Sequence, residues 1–160
     1  MEHSNQHSNK GNYNTFFLML GLSFVAMYVA MYLNTYAIDH VYFSMTRFYM
    51  VCLGISTMAV IMLLFMLKMY ENKKKNTVIL VGSLVLFISA LSLVRAQAPI
   101  VGDVLWLKGM IPHHSIAILT SERANIKDPE VKQLAEDIIK AQRKEIEDMK
   151  AMIKRLENEK

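Results

Sequence analysis

The residues best equipped for chemistry stand in the stretch MIPHHSIAILTSERA, Met110 to Ala124. Met110 offers a thioether. Three and four positions later, His113 and His114 offer imidazoles, on neighbouring positions of one face if the helix is continuous. Imidazole is a good ligand for copper and zinc, and thioether selects soft ions such as Cu(I). The mixture therefore points to Cu(I), with Ag(I) as a mimic. The competing reading is a polar patch at a kink, hydrogen-bonded to an acid and to water. Adjacent helical residues point about 100° apart, so at most one of the two histidines faces a given layer.

A second polar feature lies downstream. Asp128-Pro129-Glu130 is a strong helix start, with an aspartate cap, a proline at the first position and an acid in the first turn. Apolar residues then recur at Val131, Ala135 and Ile138 and again at Met149, Met152 and Leu156. The positions that would carry the stripe between them are Gln142 and Glu145. Two helices joined by the short turn NIKD pack antiparallel. Counting outward from Lys127 sets His113 and His114 opposite Gln142, and Met110 opposite Glu145. One layer then gathers Met110, His113, His114, Gln142, Glu145 and Met149. Met110 with His113 or His114 would hold the ion, with Met149 as a third ligand. Gln142 and Glu145 would orient a histidine through its other ring nitrogen. The plainer alternative has Gln142 and Glu145 snorkel to water or fix the register of the hairpin.

The positioning of this layer turns on Pro112, which either kinks the helix or restarts it at a first-turn position. In the second case the backbone amides there favour the neutral imidazole that binds metal. Upstream, Asp103 has the character of an N-cap, and residues 96–102, with Pro99 and Gly102, read as a linker.

The 160-residue chain carries a formal net charge of +4, very unevenly spread. From Gly11 to Leu67 the only charges are Asp39 and Arg47, whereas charge is dense after Lys108. Thr15–Leu33, Phe48–Leu67 and Thr77–Val94 hold no charge, and each has roughly the 18–20 residues that a hydrocarbon core requires. A cleaved signal peptide is the alternative for the first. Its leading segment lacks a basic cluster, and its apolar run is longer than a signal core. Lys68 and Lys73–Lys75 crowd the second connection, while the first has only Arg47 at its edge. Basic loops stay in the cytoplasm, so the expectation is a multi-pass inner-membrane protein with a cytoplasmic N-terminus and an exported C-terminal part. The expected organisation is a flexible tail 1–14, a three-span region 15–95 (15–33, 48–67, 77–94), the linker 96–102 and an exported hairpin 103–160.

Other features carry less. His3 near the free amine is a weak Cu(II) chelate in a tail. Met58, Met62, Met66 and Met69 form a near-helical ladder that reads better as adaptable packing than as an ion path. No span holds a histidine or an ionisable residue, which speaks against membrane haem and against an ion pathway. The one cysteine, Cys52, allows no intrachain disulfide. Charges after Lys108 nearly balance, so nothing suggests a nucleic-acid surface. No hydrolase signature accompanies the histidines, and one Glu with one histidine pair falls short of a di-iron set, so no enzyme is expected.

The blocks KGMIPHHSIAI and LAEDIIKAQRKEIEDMKAMI resemble the bacterial family catalogued as domain of unknown function 305, over roughly Asp103 to Leu156. The resemblance rests on Met110, Pro112, His113, His114, Ala117, Leu134, Ala135, Gln142, Glu145, Ile146 and Met149. It implies a ferritin-like helical hairpin used in bundles and, by analogy with periplasmic members, copper handling. The family commonly has a further methionine where this chain has Thr120. The three spans lie outside the resemblance. The fold class is accordingly all-α, three transmembrane helices followed by an antiparallel hairpin, half of a four-helix bundle. Such a small hairpin is expected to pair with a second copy. The function expected is Cu(I) or Ag(I) buffering or chaperoning at the bilayer; the alternative is a metal-free assembly module of an envelope complex.

Overall fold

The computed structural model describes residues 12–98 and 100–159; His3 lies outside them. Among the described residues there are five α-helices and no strand. They are α1 (Tyr13–Ala30), α2 (Met45–Phe65), α3 (Lys73–Ala96), α4 (Asp103–Arg123) and α5 (Pro129–Asn158), with a short 3-10 turn at Ile38–His40.

The first three helices form one layer with α2 in the middle, packed on both α1 and α3. Phe16 and Leu20 of α1 bury against Val51, Ile55, Ala59 and Leu63 of α2, with Ile79 of α3 joining them. Their outer faces remain apolar: Phe17, Leu22, Val25, Val78, Val85 and Ile88 are exposed. All three helices are long and apolar enough to cross a membrane. At the end where α2 turns into α3, the Tyr13 hydroxyl donates to Asn76 Oδ1 at 2.7 Å. The Lys75 ammonium lies 4.9 Å from the centre of the same ring.

The boundaries differ from the sequence reading for local reasons. Asn12 caps α1 by accepting from the Asn14 amide, so Tyr13 and Asn14 are helical rather than tail. The first apolar helix stops at Ala30, three residues before Leu33. There the chain tightens, with Tyr32 N–H donating to Val29 and Leu33 N–H to Ala30.

Helices α4 and α5 form the expected antiparallel hairpin around Leu107, Ile111, Ile118, Ile146, Met149 and Ile153. Asp128 caps α5, accepting from the Val131 amide at 3.0 Å. Two expectations for α4 fail. Gly102, not Asp103, is the capping residue, and Asp103 becomes the first-turn acid. Pro112 neither interrupts nor restarts the helix; it lies buried in mid-helix. The histidines therefore have no helix N-terminus beside them.

The register differs too. Ion pairs join Lys108 to Glu157 and Glu122 to Arg143, so the last turn of α4 stands well inside α5. The connection is extended at both Ala124 (ψ 139°) and Asp128 (ψ 129°), and it runs along α5 instead of closing tightly. Roughly ten residues of α5, about 15 Å at 1.5 Å each, project past α4. Val131 and Leu134 on that projection are exposed.

The hairpin is docked on the end of the three-helix layer where α1 turns into α2. Arg47, buried in the first turn of α2, donates from Nη1 to the Met31 carbonyl (2.6 Å) and from Nη2 to the Pro112 carbonyl (3.3 Å). Its guanidinium also lies over the Tyr32 ring, 4.3 Å from the centre. One side chain thus joins α1, α2 and α4. Arg47→Met is expected to lower unfolding free energy in detergent by about 2–3 kcal/mol. Arg47→Lys should recover only part, because an ammonium lacks the planar fork. Hydrogen exchange should rise around Pro112 and stay unchanged in the α2–α3 core; a variant that melts and exchanges like the wild type would refute the joint.

Candidate functional site

Continuity of α4 through Pro112 sends the two histidines to different places. Their ring centres are 5.9 Å apart, with planes inclined at 65°.

His114 turns toward α5. Its Nε2 is 2.8 Å from Glu145 Oε2, and its Nδ1 is 3.0 Å from the Met110 carbonyl. Gln142 donates to the same Glu145 oxygen at 3.4 Å. A carboxylate and a carbonyl both accept, so a ring carrying both protons donates both bonds and a neutral ring only one. Either way both nitrogens face a hydrogen-bond partner, and the ring is a fastener between α4 and α5. The counted register set His114 opposite Gln142; the shifted register brings it to Glu145, one turn further along α5.

Beside this pair a pocket of about 350 Å³ opens between the helices, lined by Met110, His114, Glu145, Asp148, Met149 and Met152. Four of the six residues expected in one layer are therefore together: Met110, His114, Glu145 and Met149. Met149 is also buried in the hairpin core. Gln142 reaches the group only through Glu145.

His113 goes the other way, into a pocket of about 280 Å³ at the seam between α4 and the start of α2. Met110, Met45, Trp106 and Arg47 line it as well. Among the described residues His113 makes no hydrogen bond or ion pair, and its only described partner is the His114 ring. Met110 borders both pockets and is the hinge of the arrangement. Thr120 lines neither, and its hydroxyl donates back to the Ile116 carbonyl at 2.9 Å. Among the described residues no three His, Cys, Asp or Glu side chains converge on one point. An ion at either pocket would have to draw on thioethers, which are soft donors.

Sequence reasoning passed over the connection between α1 and α2. Its Tyr36 N–H donates to the hydroxyl of the fully buried Ser115 at 2.7 Å, and His40 Nδ1 sits 3.0 Å from the same oxygen. Asp39 pairs with Lys150, and Arg143 donates to the Tyr36 hydroxyl while lying over its ring. The connection thus grips both α4 and α5. Ser115, a polar residue amid the apolar run after the histidines, was the available signal for it.

Residues 90–157 match the family model described as Domain of unknown function (DUF305). The chain is also similar to "Uncharacterized protein L153" of Acanthamoeba polyphaga mimivirus, 35% identical over a 142-residue alignment that covers 84% of this chain and 91% of the viral one. A similarity that broad extends beyond the hairpin into the apolar helices, whereas the family match begins only at residue 90, near the end of α3. No solved structure matches the chain.

The grip of the connection has a pH dependence with a definite sign. Burial pushes the His40 imidazole below the ordinary 6.5, with Lys150 and Arg143 adding repulsion against the pull of Asp39. The folded state therefore favours neutral His40, whose Nδ1 accepts from Ser115. That stabilisation is present above the ordinary histidine value and is lost as pH falls through it and then through the lower folded one. Lys150 holds the Asp39 carboxyl below its usual range, so that pair persists over the same interval. Protection of the Tyr36 amide from hydrogen exchange, corrected for intrinsic rate, should fall as the pH drops below the ordinary histidine value of 6.5. Ser115→Ala should abolish it throughout. Protection that is flat across the interval would rule out a role for His40.

Proposed function

The chain belongs to the DUF305 family, and on that premise we propose a membrane-anchored protein that holds Cu(I) or Ag(I) outside the cytoplasm. It buffers or chaperones the ion without turnover. The observation that carries this reading is the pairing, at one pocket, of the Met110 thioether with His113, whose ring nitrogens have no hydrogen-bond partner among the described residues. Neutral nitrogen and sulfur donors suit a singly charged soft ion. The Arg47 guanidinium in the same wall disfavours a doubly charged one more strongly. In this reading Met110 and His113 bind, Glu145 and Gln142 hold His114 in place, and Met149 is a reserve thioether in the adjoining pocket.

The basic loop supports the compartment proposed. Lys73–Lys75 lie at the opposite end of the apolar layer from the hairpin, as a cytoplasmic loop and an exported hairpin require. The exposed Val131 and Leu134 on the projecting part of α5 support pairing with a second copy in the membrane.

A metal-free assembly module is the second reading, and the His114–Glu145–Gln142 cluster is what favours it. It would fix hairpin register whether or not an ion binds.

An anaerobic Cu(I) competition titration of the full chain in detergent, against a coloured chelator, separates the two. Under the metal reading the wild type takes up Cu(I), His113→Ala loses it by at least about tenfold in affinity, and His114→Ala keeps more of it. Should the wild type fail to compete while Glu145→Leu changes the oligomeric state, the assembly reading stands and the metal reading falls.

A further inference from the structure

The pocket that receives His113 is not made by the hairpin alone. Gly109 brings α4 so close to the start of α2 that a Cβ placed there would sit 3.4 Å from Ser44 Oγ. The residues that follow these two in sequence are Met110 and Met45. Both border the same pocket as His113, and both are only partly buried. The close approach of the two backbones therefore brings a second thioether to this pocket, and it comes from an apolar helix outside the hairpin.

We infer that Met45 is a further ligand to the soft ion, which bridges α2 and α4 through Met45, Met110 and His113. This rests on the metal reading above and adds to it. The hairpin by itself offers one imidazole and one thioether at this pocket, and the third donor is present only while the hairpin is docked. All three donors are neutral, so the Cu(I) or Ag(I) complex keeps a single positive charge. That is the least costly charge next to Arg47, whose own nitrogens are turned to the Met31 and Pro112 carbonyls. An ion held this way fastens the hairpin to the three-helix layer, and undocking releases one of its ligands.

The test uses the full chain in detergent micelles with Cu(I), in the same chelator competition, on wild type, Met45→Leu, Met69→Leu and His113→Ala. Met45→Leu is expected to weaken binding by more than about tenfold, and Met69→Leu, which removes an exposed thioether at the opposite end of the apolar layer, to leave it unchanged. X-ray absorption of the loaded wild type should report two sulfurs and one nitrogen around the ion. This second readout does not depend on any variant folding. Wild-type affinity in Met45→Leu, or a single sulfur in the spectrum, overturns the bridging role while His113 still binds. Failure of the wild type itself to take up Cu(I) removes both this inference and the metal reading.

Discussion

The arrangement depends on how one buried positive charge is satisfied. Arg47 stands at the mouth of an apolar helix, and its described partners include no carboxylate. It uses two backbone carbonyls and an aromatic face instead. The Met31 carbonyl belongs to the C-terminal cap of α1, where helices leave such groups without internal donors. The Pro112 carbonyl lies in the middle of α4. A guanidinium is flat and its donors are fixed in a fork, so meeting both carbonyls constrains how α1 and α4 lie about α2. Tyr32, beneath that guanidinium, accepts from the Ser44 N–H through its hydroxyl. Ser44 in turn caps α2 and touches α4 at Gly109. The joint is thus a short ring of mutually dependent contacts, and the pocket beside it inherits its shape from them.

The adjacent histidines divide their work because the helix carrying them is uninterrupted. Had Pro112 restarted α4, both rings would have faced amides at a helix start. In the continuous helix one ring is spent on fastening α4 to α5, and the other faces a different wall with no hydrogen bond among the described residues. Similar side chains in adjacent positions thus do unlike things, and the cause is a backbone feature one residue upstream.

Much of the fold was legible. The three apolar helices follow from runs without charge and the hairpin from Asp128-Pro129, but the stripe read on α5 is only partly its buried face: Val131 and Met152 are exposed, and Ile146 and Ile153 are buried instead. The gathering of Met110, His114, Glu145 and Met149 was legible as well, since apolar periodicity faces partner periodicity. The register was not, because an extended connection between helices sets no fixed offset, and this moved Gln142 away from the histidines. The split of the pair was legible in the roughly 100° between neighbouring helical positions, though not which ring would face α5. Met45, Tyr36, Asp39 and His40 escaped notice because their partners lie far along the chain. Local pattern carries no trace of such contacts.

That same distance bears on how the molecule comes together. The hydrogen bonds that join the hairpin to the helices and connection beneath it span from 65 to 111 positions in sequence. Contacts so remote form late, since the intervening chain must first be closed into a loop. In a chain made from its N-terminus, the first two apolar helices and the connection between them precede the hairpin by several tens of residues. The seat therefore exists before its guest has been synthesised. Docking waits on the longest loop closures that these contacts require.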